Sequence, residues 1–154
     1  MKNIAIILAS GTGSRFNNET PKQFFKIKNK TVLEYSVEAF QNNSNVNEII
    51  VVSNPDYLKE TKNLVCKYSK VVKVINGGET RQQSSYCGVF SVDDDNSNVL
   101  IHDAARPFIT NTIINNCINA LNTYSAVNVA VESSDTIVQV DDKNIIKTVH
   151  ERKT

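Results

Sequence analysis

Apolar residues along the chain come in short unbroken blocks separated by stretches of helical periodicity. Ile4-Ala5-Ile6-Ile7-Leu8-Ala9 is the first block. An apolar run of strand length without polar alternation predicts a strand covered on both faces. The same pattern recurs in Ile49-Ile50-Val51-Val52, Val71-Val72-Lys73-Val74-Ile75, Val99-Leu100-Ile101 and Ala126-Val127-Asn128-Val129-Ala130-Val131. Helical signals fill the intervals. Thr31-Val32-Leu33-Glu34 has the spacing of a capping box, after which Leu33, Val37 and Phe40 fall on one face. Asn54-Pro55 sets a capping side chain before a proline at the first helical position, opening a helix toward Tyr68. Ile113, Ile114, Cys117, Ile118 and Leu121 form a third apolar stripe, capped by Thr110 or Asn111. The stretch from Thr80 to Phe90 predicts a fourth, weaker helix interrupted by Gly88.

Strand alternating with helix predicts an α/β domain of three layers, a mainly parallel sheet with helices on both faces. The end of the chain departs from this rule. Thr136-Ile137-Val138-Gln139-Val140 and Ile145-Ile146-Lys147-Thr148-Val149 flank the polar turn Asp141-Asp142-Lys143-Asn144, which predicts a β-hairpin. An isolated hairpin is only marginally stable in water, so this one is expected to lean on something, such as another chain.

Composition narrows the function classes. The 154 residues fit a single domain. With 17 basic against 16 acidic residues the net charge is +1, which gives no footprint for non-specific binding to nucleic acid or membrane. No apolar run approaches the ~18 residues that span a bilayer. Lys2 and the short run after it do not make a signal peptide, so a cytoplasmic location is expected. Cys66, Cys87 and Cys117 lack C-x-x-C spacing and read as core thiols rather than a disulfide framework or a zinc site.

Ligands of open α/β sheets bind beyond the carboxyl ends of the strands. After the first strand comes Ser10-Gly11-Thr12-Gly13-Ser14-Arg15, where two glycines allow backbone amides to approach a phosphate. Phe16 occupies the third glycine position of a dinucleotide fingerprint, and Ser53-Asn54 puts no acidic residue after the second strand, so an NAD-dependent oxidoreductase is disfavoured. The glycines alone fit a turn without a ligand equally well. Arg15 and Lys22, in Pro21-Lys22-Gln23, add the cations that would hold a triphosphate and neutralise charge at phosphorus. Gly77-Gly78-Glu79-Thr80-Arg81 leads from the third strand toward Ser84, and read alone is a polar turn and helix cap. His102-Asp103-Ala104-Ala105-Arg106-Pro107 ends the fourth strand. Asp103 is placed to bind a magnesium ion that itself holds phosphates, and Arg106 offers a planar donor fork. His102 and Asp103 alternate faces and so make a poor catalytic dyad; His102 reads as packed rather than catalytic.

These segments, in this order and with Asp135-Thr136, resemble the family of 2-C-methyl-D-erythritol 4-phosphate and ribitol-5-phosphate cytidylyltransferases. The resemblance implies a nucleotide-diphospho-sugar-transferase-like, Rossmann-like α/β fold, with CTP and Mg²⁺ as reactants and pyrophosphate as a product. It implies that Ala9, Ser10, Gly11, Thr12 and Gly13 bind the nucleotide, the Gly11–Gly13 loop wrapping the CTP phosphates, with Arg15 and Lys22 as the catalytic cations at the α-phosphorus. It further assigns Gly78 and Ser84 to cytosine or ribose, Asp103 and Ala104 to the ribose side, and Asp103 to magnesium. Arg106, Thr136 and Arg152 would grip the polyol phosphate, the last two reaching across from the arm of a homodimer partner. The arm would span residues 132–151 of a single nucleotidyltransferase domain covering 1–154. Ser10 stands where the family usually has alanine or glycine, and Gln83 and Ser85 replace acidic and aliphatic neighbours of the serine. Family members continue past Glu151-Arg152-Lys153-Thr154 with a further region, so the domain is expected to be C-terminally truncated. Within the family Asp135-Thr136-Ile137-Val138 tilts the acceptor toward ribitol 5-phosphate, because no basic residue follows. The competing reading is a non-catalytic nucleotide-binding or dimerisation module.

Overall fold

A computed structural model describes residues 1–11 and 20–150 of the protein. The elements follow in the order β1 (Lys2–Ala9), β2 (Lys26–Ile27), β3 (Lys30–Thr31), α1 (Val32–Gln41), β4 (Glu48–Ser53), α2 (Leu58–Val65) and β5 (Val71–Asn76). After these come α3 (Arg81–Phe90), β6 (Ser97–Asp103), α4 (Asn111–Ala120), β7 (Val138–Val140) and β8 (Ile146–Val149). Four strands form an all-parallel sheet in the order β5-β4-β1-β6. The strand order reverses at β1, which has β4 on one side and β6 on the other. That reversal opens a crevice at the carboxyl ends of the strands.

Both faces of the sheet are covered, as the unbroken apolar runs require. On one face Ala5, Ile7, Ala9, Ile49 and Val51 pack against Leu33, Val37 and Phe40 of α1, Val65 of α2, and Ile114 and Ile118 of α4. On the other, Ile4, Ile6, Leu8, Ile50 and Val52 form a second cluster. There α3 lies so close that a Cβ on Gly88 would come 2.5 Å from Ile6 Cγ2 and 3.1 Å from Val52 Cγ2. Each fully buried aliphatic side chain contributes about 1.5–3 kcal/mol relative to exposure, so these two clusters hold the layers together.

Helix starts follow their caps. Thr31 Oγ1 accepts from the Glu34 amide and the Glu34 carboxylate accepts from the Thr31 amide, a reciprocal box. Thr80 and Gln83 repeat the arrangement at α3, and Thr110 caps α4. Asn54 Oδ1 accepts from the Asp56 amide and starts a 3-10 turn, Pro55–Tyr57, ahead of α2.

Three expectations are corrected, the first being that the cysteines are core thiols: Cys66 is exposed and Cys87 and Cys117 are only partly buried. Residues 126–131 run without regular secondary structure and form no ladder, and Val127, Val129 and Val131 are exposed. An apolar run becomes a strand only when an edge takes up its amides, and β6 pairs with β1 alone among the described residues. Gly88 does not interrupt α3, which runs through it from Arg81 to Phe90; the glycine is there for close approach to the sheet rather than to break the helix. The terminal hairpin forms as an antiparallel pair, β7 with β8, shorter than the apolar pattern suggests. Its turn is held by Asp141 Oδ1, which accepts from the amides of Lys143 and Ile145 at 2.9 Å each, with Asn144 at φ 61°.

Candidate active site

The sheet register sets four chain segments at one rim. Leu8 lies beside Asp103, Ala9 beside Ser53, and Ser53 beside Asn76. The segments leaving these strands therefore meet above the carboxyl edge. Where β1 and β5 end, Ser10 Oγ donates to Ser84 Oγ at 2.7 Å. Ser84 Oγ also accepts from the Gly78 amide at 3.2 Å and lies 2.9 Å from the Thr80 carbonyl oxygen. Ser84 is fully buried, so it sits beneath the 77–80 turn and shapes it. A Cβ on Gly77 would come 2.6 Å from Ser10 Cβ and 2.8 Å from Ser84 Oγ, so only glycine lets the two loops close on each other. Gly11, by contrast, has open space where a Cβ would be.

Gln23 joins this corner from the 3-10 turn Lys22–Phe24. Its amide nitrogen, almost wholly buried, donates to the carbonyl oxygens of Ala9 and Gly11 at 2.9 Å each. Both N–H donors of the amide are thereby spent on the end of β1, which fixes where the exposed Lys22 leaves the turn. The glycine loop's Thr12 and Gly13, with Arg15 and the distant Arg152, lie outside the described residues.

At the end of β6, Asp103 is held between two guanidinium groups. Arg81 Nε donates to Oδ1 at 3.0 Å, and Arg106 Nε lies 3.2 Å from Oδ2. The backbone turns sharply here, with the Arg106 amide donating to the Asp103 carbonyl oxygen at 3.0 Å. Ala104 is buried; its amide donates to Leu8 O and its carbonyl accepts from Ser36 Oγ, so it braces the rim from below. His102 points to the opposite face from Asp103, its ring 5.2 Å from that of Phe40 and Nε2 3.0 Å from the Arg106 carbonyl oxygen. Burial holds its imidazole below the usual histidine range. It steadies the 103–106 turn and stands outside the charge cluster.

A hollow of about 960 Å³ runs from Arg81, Asp103 and Arg106 along β6 toward Cys117 and Val127. Thr136 lies exposed just ahead of β7 and makes no hydrogen bond to this rim among the described residues. No three His, Cys, Asp or Glu side chains gather as a metal cage among the described residues, nor is any helix there long and apolar enough to cross a membrane.

Residues 3–154 match the family model for 2-C-methyl-D-erythritol 4-phosphate cytidylyltransferase. The chain belongs to this family. It is 42% identical over 144 residues to the 2-C-methyl-D-erythritol 4-phosphate cytidylyltransferase of Clostridium botulinum, with 92% of this chain and 63% of that protein covered. It is 43% identical over 152 residues to the bifunctional ribulose 5-phosphate reductase/CDP-ribitol pyrophosphorylase of Haemophilus influenzae, with 95% of this chain and 32% of that protein covered. Its fold is similar to the crystal structure of 4-diphosphocytidyl-2C-methyl-D-erythritol synthase from Anaerococcus prevotii, with a TM-score of 0.84 at 30% identity over 98% of this chain and 64% of that one. The chain thus spans less than two thirds of the length of these relatives. The parallel sheet with its reversed order is the Rossmann-like frame of the cytidylyltransferase family.

Two residues of this cytidylyltransferase-family rim lie within the motifs but receive no role from them. Gln23 sits next to the lysine that draws attention, and its own signal is a polar amide before the aromatic pair Phe24-Phe25. Arg81 closes the Gly77–Arg81 segment in the sequence, and only the fold brings it across 22 positions to Asp103.

Proposed function

We propose that this chain carries the nucleotide- and acceptor-binding rim of a cytidylyltransferase, which moves CMP from CTP to a polyol phosphate and releases pyrophosphate. The observation that supports it most is a convergence on one carboxyl edge. There the glycine turn packed on Ser10 and Ser84 meets the end of β6 with its one carboxylate and two guanidinium groups.

In the reaction, an oxygen of the acceptor phosphate bonds to the α-phosphorus, and the bond to the β-phosphate oxygen breaks. The electron pair leaves with pyrophosphate. The attacking oxygen is already anionic near neutral pH, so no general base is needed and His102 can remain a packing group. The residues act by alignment and by neutralising charge. The loop of residues 11–13 cradles the phosphates in this reading, and Lys22 and Arg15 neutralise charge at the α-phosphorus. Ala9 leads into this nucleotide cradle, Gly78 takes cytosine or ribose with the buried Ser84 supporting it from beneath, and Asp103 and Ala104 lie on the ribose side. Arg106, Thr136 and Arg152 hold the polyol phosphate, the last two from the hairpin of a second subunit. The exposed Ile137, Val140, Ile145 and Ile146 of that hairpin suit burial against another chain.

Asp103 fits magnesium in the mode in which one carboxylate and several phosphate oxygens share the ion. When bound, Mg²⁺ supplies positive charge across the triphosphate. Ribitol 5-phosphate is the preferred acceptor in this reading, since the apolar Ile137 and Val138 follow Thr136 where a basic residue would favour methylerythritol phosphate.

The test is a panel of ribitol 5-phosphate, 2-C-methyl-D-erythritol 4-phosphate and other pentitol phosphates, each with CTP, UTP or ATP and Mg²⁺, scored for pyrophosphate. CTP should support release with a polyol phosphate, fastest with ribitol 5-phosphate, and ATP and UTP far less. No release with any acceptor would remove the activity, and CTP binding without turnover would assign the chain the non-catalytic role instead.

A further inference from the structure

The clamp on Asp103 carries a consequence for how a metal reaches it. Of its two partners, Arg106 arrives with the local turn, three residues on. Arg81 comes from another layer, placed by the Thr80 cap and by the close seat of α3 on the sheet. Among the described residues, Arg81 is the partner that makes a hydrogen bond to the carboxylate, through Nε. A guanidinium has five N–H donors, so the remaining four of Arg81 have no protein partner among the described residues. The Arg81 side chain is 66% exposed and that of Asp103 28%.

We infer that Arg81 is a positioning residue that holds Asp103 closed to a free divalent cation until phosphate arrives with it. The inference rests on the reading of Asp103 as a magnesium ligand. A carboxylate with a cation on each oxygen belongs to a cluster of net charge +1, and a bare dication approaching it meets like charge. An incoming triphosphate reverses that field. Its oxygens draw the unused donors of Arg81, the Nε–Oδ1 bond opens, and the freed oxygen turns to the ion that the phosphates already hold. The same guanidinium thereby joins the turn of the nucleotide site to the end of β6, so metal and nucleotide enter together.

The experiment titrates Mn²⁺, as a magnesium probe, into the 154-residue chain and follows free Mn²⁺ by electron paramagnetic resonance. Wild type is compared with Arg81→Gln, Arg81→Lys, Asp103→Asn and the double variant Arg81→Gln/Asp103→Asn, each with and without CTP. Without CTP, Arg81→Gln should bind Mn²⁺ about three- to tenfold more tightly than wild type, the size expected for removing one positive charge near a dication at a half-exposed site. Arg81→Lys should stay near wild type, and Asp103→Asn should cancel the gain in the double variant. Equal affinity in wild type and Arg81→Gln, a gain shared by Arg81→Lys, or a gain that survives in the double variant would each overturn the inference. With CTP present, CTP itself holds Mn²⁺, so the metal reading is tested by the Mn²⁺ that the chain takes up beyond that held by the same CTP alone, which should fall in Asp103→Asn. If Asp103→Asn takes up as much as wild type, that reading falls and takes the inference with it. If it does not, and Arg81→Gln alone shows no gain, only the inference falls.

Discussion

Gln23 spends both amide hydrogens on carbonyl oxygens at the end of β1, that of Ala9 in a buried setting and that of the exposed Gly11 at its edge. Gln23→Leu keeps the volume and leaves Ala9 O and Gly11 O unpaired, which should cost about 1–3 kcal/mol in urea unfolding. Lys22, one residue earlier, is exposed, so Lys22→Ala should leave the unfolding midpoint nearly unchanged while lowering kcat by about 100-fold or more, the scale of a lost charge-stabilising group. A variant with near-normal turnover would remove Lys22 from the reaction. Glu34 gives a pH signature. Burial pushes its carboxyl up, but the Lys67 ammonium and the Thr31 amide and hydroxyl outweigh that and hold it below the ordinary value. A depressed folded value contributes stability that is present above the unfolded value and lost as pH falls through the folded one. Unfolding free energy should therefore fall more steeply in wild type than in Glu34→Gln between about pH 5 and pH 3. Parallel profiles would contradict this.

At the scale of elements, caps and apolar stripes were legible because they are local. Thr31 and Glu34 specify the start of α1 by spacing alone, and Leu33, Val37 and Phe40 its buried face. Gly88 was misread for the opposite reason, since its cause lies on another element. Helix propensity favours alanine over glycine by ~1 kcal/mol, yet a methyl group here would meet Ile6 Cγ2 at 2.5 Å. Overpacking of this kind costs about 1–3 kcal/mol, so Gly88→Ala should lower stability in urea despite its better propensity. A more stable variant would mean that α3 can move away from the sheet. Residues 126–131 failed as a strand on similar grounds. Periodicity reports what a segment could bury and says nothing of whether an edge is there to pair with it. Within the site, the bonds from Ser84 Oγ to Ser10 and the 77–80 turn are likewise set by the meeting of two loops, which no local pattern of the sequence shows.

For the molecule as a whole, alternating strand and helix made the three-layer α/β frame readable, and the rule that ligands sit at strand carboxyl ends located the rim. The strand order was not readable, and with it the meeting of Arg81 and Asp103, because lateral order depends on crossovers rather than on any local pattern. The proposed activity requires that rim to be a pyrimidine nucleotide site. Its most direct test is calorimetric titration of the chain with CTP, UTP, ATP and GTP in the presence of Mg²⁺. One CTP should bind per chain, at least about tenfold more tightly than the purine nucleotides, a difference of ~1.4 kcal/mol. Heats that are absent for CTP, or equal for CTP and ATP, would contradict it.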